Sequence, residues 1–133
     1  VKRLFLLSLL ASLSAAAVEP PLPKSFRGDW VPIKQSCASK VRLRVEAMTV
    51  SLISGAETRQ FGDLDICRSC KGGAHYGGIE VWLIPEFNRG REQSPFTVYF
   101  NHGEKKGVAM LEFSDKELMA RFQLHKRQLR KCN

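Results

Sequence analysis

Lys40-Val41-Arg42-Leu43-Arg44-Val45-Glu46 alternates without a break. Val41, Leu43 and Val45 fall on one face, and Lys40, Arg42, Arg44 and Glu46 on the other. That two-residue repeat belongs to a strand with one side on a core and one side in water. The pattern continues on both sides. Met48, Val50 and Leu52 alternate with Thr49 and Ser51, and the phase break at Glu46-Ala47 predicts a two-residue hairpin turn. Ser54-Gly55 marks the next turn. Gly62, Leu64 and Ile66 alternate with Asp63 and Asp65. Ile79, Val81 and Leu83 alternate with Glu80, Trp82 and Ile84. Phe96, Val98 and Phe100 alternate with Thr97 and Tyr99. Asn101 to Gly107 reads as a polar turn, and Val108 to Phe113 is apolar on both faces apart from Glu112. Phe122 and Leu124 alternate with Gln123 and His125. One segment argues for helix, where Ser114-Asp115 caps a short turn near 115–120. The expected fold is all-β: a small antiparallel up-and-down β-barrel of seven to eight strands, because closure hides the strand edges most completely.

The chain has 133 residues and a formal charge of +8. Val1-Lys2-Arg3 is a short basic start, Leu4 to Leu13 is apolar, and Ser14-Ala15-Ala16-Ala17 supplies small residues. These are the three regions of a secretory signal peptide, expected to be cleaved after Ala17. Val1 suits an alternative start codon and so a bacterial gene, which makes the periplasm or the exterior the expected compartment. Losing Lys2 and Arg3 takes Lys+Arg from 21 to 19 against 13 Asp+Glu, a net of +6. Pro20, Pro21 and Pro23 predict an extended leader over 18–25. Residues 26–133 are then one disulfide-stapled domain, since a chain this short has no room for two cores. No stretch after residue 17 approaches the ~20 apolar residues of a membrane span.

Four cysteines, Cys37, Cys67, Cys70 and Cys132, read as two disulfides in an exported chain. Three connectivities are open. Cys37–Cys132 with Cys67–Cys70 is preferred, because the first closes a loop of about a hundred residues and contributes ~4–5 kcal/mol in the chain-entropy model. Cys67-Arg68-Ser69-Cys70 also admits two other readings. One is a redox pair, although its flanks are a strand and a Gly-rich loop rather than a helix N-terminus. The other is a metal site using Cys67, Cys70 and His75.

Phe26-Arg27-Gly28-Asp29-Trp30 resembles the opening motif of calycins, the lipocalins and shorter lipocalin-like proteins of bacteria. The resemblance implies an up-and-down barrel whose open mouth takes a ligand. Gly28 would turn the chain into the barrel and Trp30 would plug one end. A last-strand cation, Arg127 or Arg130, would stack over the indole.

The sequence carries no complete catalytic or cofactor signature, so no enzyme activity and no cofactor are expected. Serines lie outside G-x-S-x-G. His75, His102 and His125 are scattered. Asp63/Asp65 and Glu80/Glu86 are possible carboxylate pairs, and Asp63 and Asp65 share an outward strand face that reads as solvated. The basic excess is the stronger clue. Arg42 and Arg44 line one strand face, and Lys126, Arg127 and Arg130 close the chain. Such stripes attract polyanions. Nucleic acid is disfavoured because aromatic residues are sparse among these cations. Lys71, His75 and Tyr76 sit in a loop with four glycines in residues 71–78, a second candidate contact surface. The function expected is therefore a non-enzymatic binding protein of the bacterial envelope with an anionic polymer, small ligand or protein partner. The alternatives are an inhibitor of a secreted enzyme, presenting 71–78 or 86–95, and a metal or redox protein built on Cys67 and Cys70.

Overall fold

The computed structural model describes residues 22–87 and 93–133. The proposed signal peptide, the start of the leader and part of the 86–95 segment lie outside the described residues. Nine strands form one sheet: β1 (Gly28–Pro32), β2 (Val41–Val45), β3 (Val50–Ser54), β4 (Glu57–Phe61), β5 (Asp65–Cys67), β6 (Val81–Ile84), β7 (Phe96–Phe100), β8 (Val108–Phe113) and β9 (Gln128–Lys131). Their order is β4-β3-β2-β1-β9-β8-β7-β6-β5, with every neighbouring pair antiparallel. The sheet curls into a half-barrel around one core.

The strand count is one above the expected range, and chain direction explains it. Since β1 and β9 are antiparallel, strict alternation outward makes β4 and β5 run the same way. Only Gly62–Leu64 separates them. Gly62 O accepts from Glu86 N at 3.0 Å and Asp63 O from Phe87 N at 3.1 Å. The chain thus leaves the β3 ladder at Phe61 and pairs on the β6 side from the next residue. β4 and β5 read as two halves of one bent strand at the two ends of the half-barrel sheet. Phe61 at this bend meets Phe96 of β7 edge to face at 5.0 Å, across the interior.

Of the expected inward residues, Leu43, Val45, Val50, Leu52, Val81, Leu83, Phe96, Val98 and Phe100 are buried in one cluster, and Val41, Leu64 and Ile66 are partly buried against it. Full burial of each such side chain stabilises by about 1.5–3 kcal/mol. Trp30, Phe96, Phe100 and Phe122 are also fully buried. The interior lined by the described residues is therefore filled with side chains, where the calycin resemblance implies room for a ligand.

One end of the core is covered by a short 3-10 turn, Lys24–Phe26, and by Trp30. Trp30 Nε1 donates to Phe26 O at 2.9 Å, and the Phe26 ring stacks on Phe100 at 4.3 Å. Leu22 is 2% exposed and donates its N–H to Ala47 O. Of the expected leader only Leu22 to Ser25 are described, and there Leu22 is core and Lys24 opens the 3-10 turn. Gly28 has φ +127°, a region open to glycine, and a Cβ there would meet Lys131 Cε at 3.0 Å.

At another edge of the core lies α1 (Lys116–Arg121), the helix expected from the sequence. The Asp115 carboxylate accepts from Glu117 N and Leu118 N at 2.9 and 3.0 Å and so caps it. Leu118 packs into the core, and Arg121 ion-pairs with Glu57 at the start of β4.

Three local expectations are corrected. Glu46 to Thr49 form a four-residue loop in place of a two-residue turn, with Glu46 N on Thr49 O, and Met48 is exposed. Phe122 and Leu124 are core but not strand. The last strand is Gln128–Lys131, and His125 makes only an isolated bridge to Leu111. Ile79 is 45% exposed and precedes β6, although it keeps the alternation of Val81 and Leu83.

Candidate functional site

Both disulfides of the preferred connectivity are present, Cys37–Cys132 and Cys67–Cys70. The first ties the end of β9 to the segment after β1, and β9 already pairs with β1. This brings the two basic sequence clusters onto adjacent strands, β9–β1–β2. Arg130 lies opposite Val31 of β1, and its guanidinium donates to Gln35 O at 2.8 Å and reaches Cys37 Sγ at 3.5 Å. Arg127 donates to Gln123 O at 3.1 Å. Arg127 and Gln128 form one wall of a surface hollow of about 270 Å³, and Pro32, Ile33 and Lys34 form the other. Lys34 and Lys40 are exposed and pair with no described side chain.

Arg42 and Arg44 also lie on this outward face, but Asp29 of β1 engages both. Arg42 Nη1 sits 2.9 Å from Asp29 Oδ2, and Arg44 Nε and Nη2 donate to the two carboxylate oxygens at 2.7 and 3.1 Å. The Arg44 hydrogen bond holds the Asp29 carboxyl below its ordinary range. It does so against burial and with help from Arg42. Asp29 in turn raises Arg44. The pair is thus partly neutralised rather than free for an anion. Lys126 departs from the group, since its ammonium faces Glu112 of β8 at 3.7 Å. The structure does not bring Arg127 or Arg130 over Trp30. The last-strand cation opposite Trp30 is Lys131, whose ammonium points to the carbonyls of Lys24 and Ser25 at 3.4 and 3.3 Å.

The 68–79 loop is a second constellation, and two of its glycines, Gly72 and Gly78, are packed against Tyr76. Lys71 Nζ bridges Glu80 Oε2 at 3.1 Å and Glu104 Oε1 at 3.0 Å. The Tyr76 hydroxyl donates to Glu104 and accepts from Glu80 N at 2.9 Å. Ile79 N donates to Glu104 Oε2 at 2.8 Å, and Asn101 Nδ2 to Ile79 O at 3.1 Å. Gly72 and Gly78 flank the Tyr76 ring. A Cβ on Gly72 would come within 2.9 Å of that ring, and one on Gly78 would collide with the hydroxyl and with Glu104.

Glu80 is the buried charge of this knot, at 5% exposure. Burial alone would raise its carboxyl, yet Gly103 N at 2.8 Å, Trp82 Nε1 at 3.0 Å and Lys71 together hold it below its ordinary value. Tyr76, Ile79 N and Lys71 lower Glu104 from 4.5 to about 2. His102 Nδ1 lies 3.8 Å from Glu80 Oε2.

Of the candidate loop residues, Lys71 and Tyr76 are therefore joined and spent on holding the loop. His75 stays exposed on the 3-10 turn Gly73–His75. With Cys67 and Cys70 bonded to each other, neither offers a thiolate to a metal, and among the described residues no group of three potential ligands converges. Glu80 and Glu86 flank the two ends of β6, about 20 Å apart along an extended chain, so they make no acid–base pair.

Sequence reasoning did not single out Asp29 or Glu104, and it named Glu80 only as a possible carboxylate pair with Glu86. Asp29 stands inside the Phe26–Trp30 motif, but its role depends on strand pairing. Glu80 carried one signal, a carboxylate two residues before Trp82, whose indole N–H it accepts. No family model, curated protein or solved structure matches the chain.

Proposed function

We propose that the chain is an exported, non-enzymatic binding protein of the bacterial envelope whose partner is an anionic polymer held on the β9–β1–β2 face. The observation that carries this reading is the adjacency of β9 to β1, reinforced by Cys37–Cys132. It sets Lys34, Lys40, Arg127 and Arg130 beside Arg42 and Arg44. Clustered cations of this kind attract polyanions, and the attraction is screened over about 8–10 Å at physiological ionic strength. Export rests on the amino-terminal sequence and fits the two disulfides. No helix among the described residues is long and apolar enough to cross a membrane. A non-enzymatic role is supported by the state of the acidic groups in the 68–79 knot. Glu80 and Glu104 are saturated by Lys71, Tyr76, Trp82 and backbone donors, which leaves them poor proton carriers at neutral pH.

The test is retention on a polyanion resin and on lipopolysaccharide at low and moderate salt. Wild type should be retained at low salt and released as salt rises. Lys34→Glu/Lys40→Glu should elute earlier at unchanged stability, because neither side chain has a partner to lose. Equal retention of both proteins, or retention insensitive to salt, would reject the reading. Arg42 and Arg44 are unsuitable for charge reversal, since a glutamate at either position would face Asp29.

A second reading, inhibition of a secreted enzyme, is favoured by the pinned 68–79 loop. An exposed loop already held in one conformation loses little entropy on docking. If it is the contact, Tyr76→Phe should weaken inhibition while leaving polyanion retention unchanged.

A further inference from the structure

We infer that the hollow between Ile33–Lys34 and Arg127–Gln128 is a subsite for one anionic sugar unit, a hexose ring carrying a carboxylate or a phosphate. The inference rests on the polyanion reading above and assigns the seat and the chemistry of one repeat of that polymer.

The hollow is built where β1 ends and β9 begins. Pro32 pairs with Leu129, and Ile33 N donates to Gln128 O at 3.0 Å, so the two walls are fixed relative to each other. The Cys37–Cys132 bond fastens the same two segments a few residues further on. A cation stands on each wall. The Lys34 ammonium has no partner among the described residues. Arg127 uses one guanidinium N–H on Gln123 O, which orients the group and leaves its other donors available. A planar guanidinium and a mobile ammonium on opposite walls suit one tetrahedral or planar oxyanion between them.

Pro32 and Ile33 supply the aliphatic part of the lining. Ile33 is 42% exposed, an apolar surface set between two cations, with Pro32 beneath. An inorganic anion would use the charges and leave that surface in water. A sugar acid covers both, because the C–H face of its ring lies on Ile33 and Pro32 while the acid meets Lys34 and Arg127. Gln128, also in the lining, adds a polar residue to the site. The volume, about 270 Å³, is enough for one ring. The next cation on the same strand face is Arg130, two residues along β9 and about 7 Å away, so the following repeat of an acidic chain has a charge to meet.

The experiment is a titration of the full exported chain, followed by backbone amide NMR at low salt. The probes are glucuronate, glucose 6-phosphate, glucose and inorganic phosphate. Saturable shifts at Ile33, Lys34, Arg127 and Gln128 with either anionic sugar are expected, in the millimolar range. Glucose and inorganic phosphate should each bind at least tenfold more weakly. A response to one anionic sugar alone supports the subsite and names its acid. Lys34→Ala, on an exposed segment, should weaken the anionic sugars about tenfold. Arg127→Ala should do the same, and its amide spectrum shows whether it remains folded. If inorganic phosphate binds as well as the anionic sugars, the site reads charge alone and the inference fails. If no sugar saturates while polyanion retention persists, the subsite is wrong and the basic-face reading stands. Loss of both rejects both.

Discussion

Removing the Cys37–Cys132 bond, as Cys37→Ala/Cys132→Ala, should be far more damaging than removing Cys67–Cys70. The two bonds differ chiefly in the length of chain they close, with sequence separations of 95 and 3. Constraining the unfolded chain over the longer loop is worth ~4.7 kcal/mol in the chain-entropy model, and over the shorter one ~2 kcal/mol. A domain of this size unfolds with an entropy of about 0.23 kcal/mol/K, so the expected falls in Tm are ~20 °C and ~8 °C. The folded state changes little in either case. β9 keeps its ladder to β1, and Arg130 keeps Gln35 O while losing its contact to Cys37 Sγ. The assay is urea and thermal unfolding in non-reducing buffer at pH 7, followed by tryptophan fluorescence and far-UV circular dichroism. Losses within ~1 kcal/mol of each other, or a larger loss from the Cys67/Cys70 pair, would refute the argument from loop length.

Trp30→Ala removes a fully buried ring and its hydrogen bond to Phe26 O, and should cost ~3–5 kcal/mol by urea unfolding. Gly78→Ala should loosen the 68–79 loop by displacing Tyr76 and Glu104. Faster amide exchange at Ile79 and Glu80 with little change in Tm is the expected result. Acid should open the same knot. Glu104, Glu80 and Asp29 have folded pKa values below their unfolded ones, so the stability they contribute is present above the ordinary carboxylate range. It is lost as pH falls through the folded values, for Glu104 from 4.5 down to about 2. Protection at Ile79, its exchange rate relative to the intrinsic rate at each pH, should therefore fall between pH 5 and pH 2 before that of the core amides of β7 does, and unchanged protection over that range would contradict the assignment.

Much of the barrel was legible because its strands carry their own signal. Val41 to Val45 and Phe96 to Phe100 alternate, and alternation is local. The bend joining β4 to β5 was not, since Gly62 to Ile66 alternates like an ordinary strand and the switch of partner from β3 to β6 leaves no mark in composition. The last strand was misplaced for a related reason. Leu118 and Phe122 lie four apart and share the helix face that enters the core, while Phe122 and Leu124, two apart, mimic a strand. The basic stripe was readable, but its partial neutralisation was not. Asp29 reaches Arg42 and Arg44 across thirteen and fifteen residues of sequence, through a register that only folding fixes. The glycines of 71–78 suggested freedom, whereas Gly72 and Gly78 are small because Tyr76 lies against them.

The most direct test of the β9–β1–β2 face is an amide hydrogen-exchange footprint of the full chain, with and without a bound anionic polysaccharide at low salt. The account predicts slowed exchange confined to Ile33 to Val41 and Arg127 to Lys131, with the 68–79 loop unchanged. Protection centred on the 68–79 loop, with none at Ile33 to Val41, would contradict it.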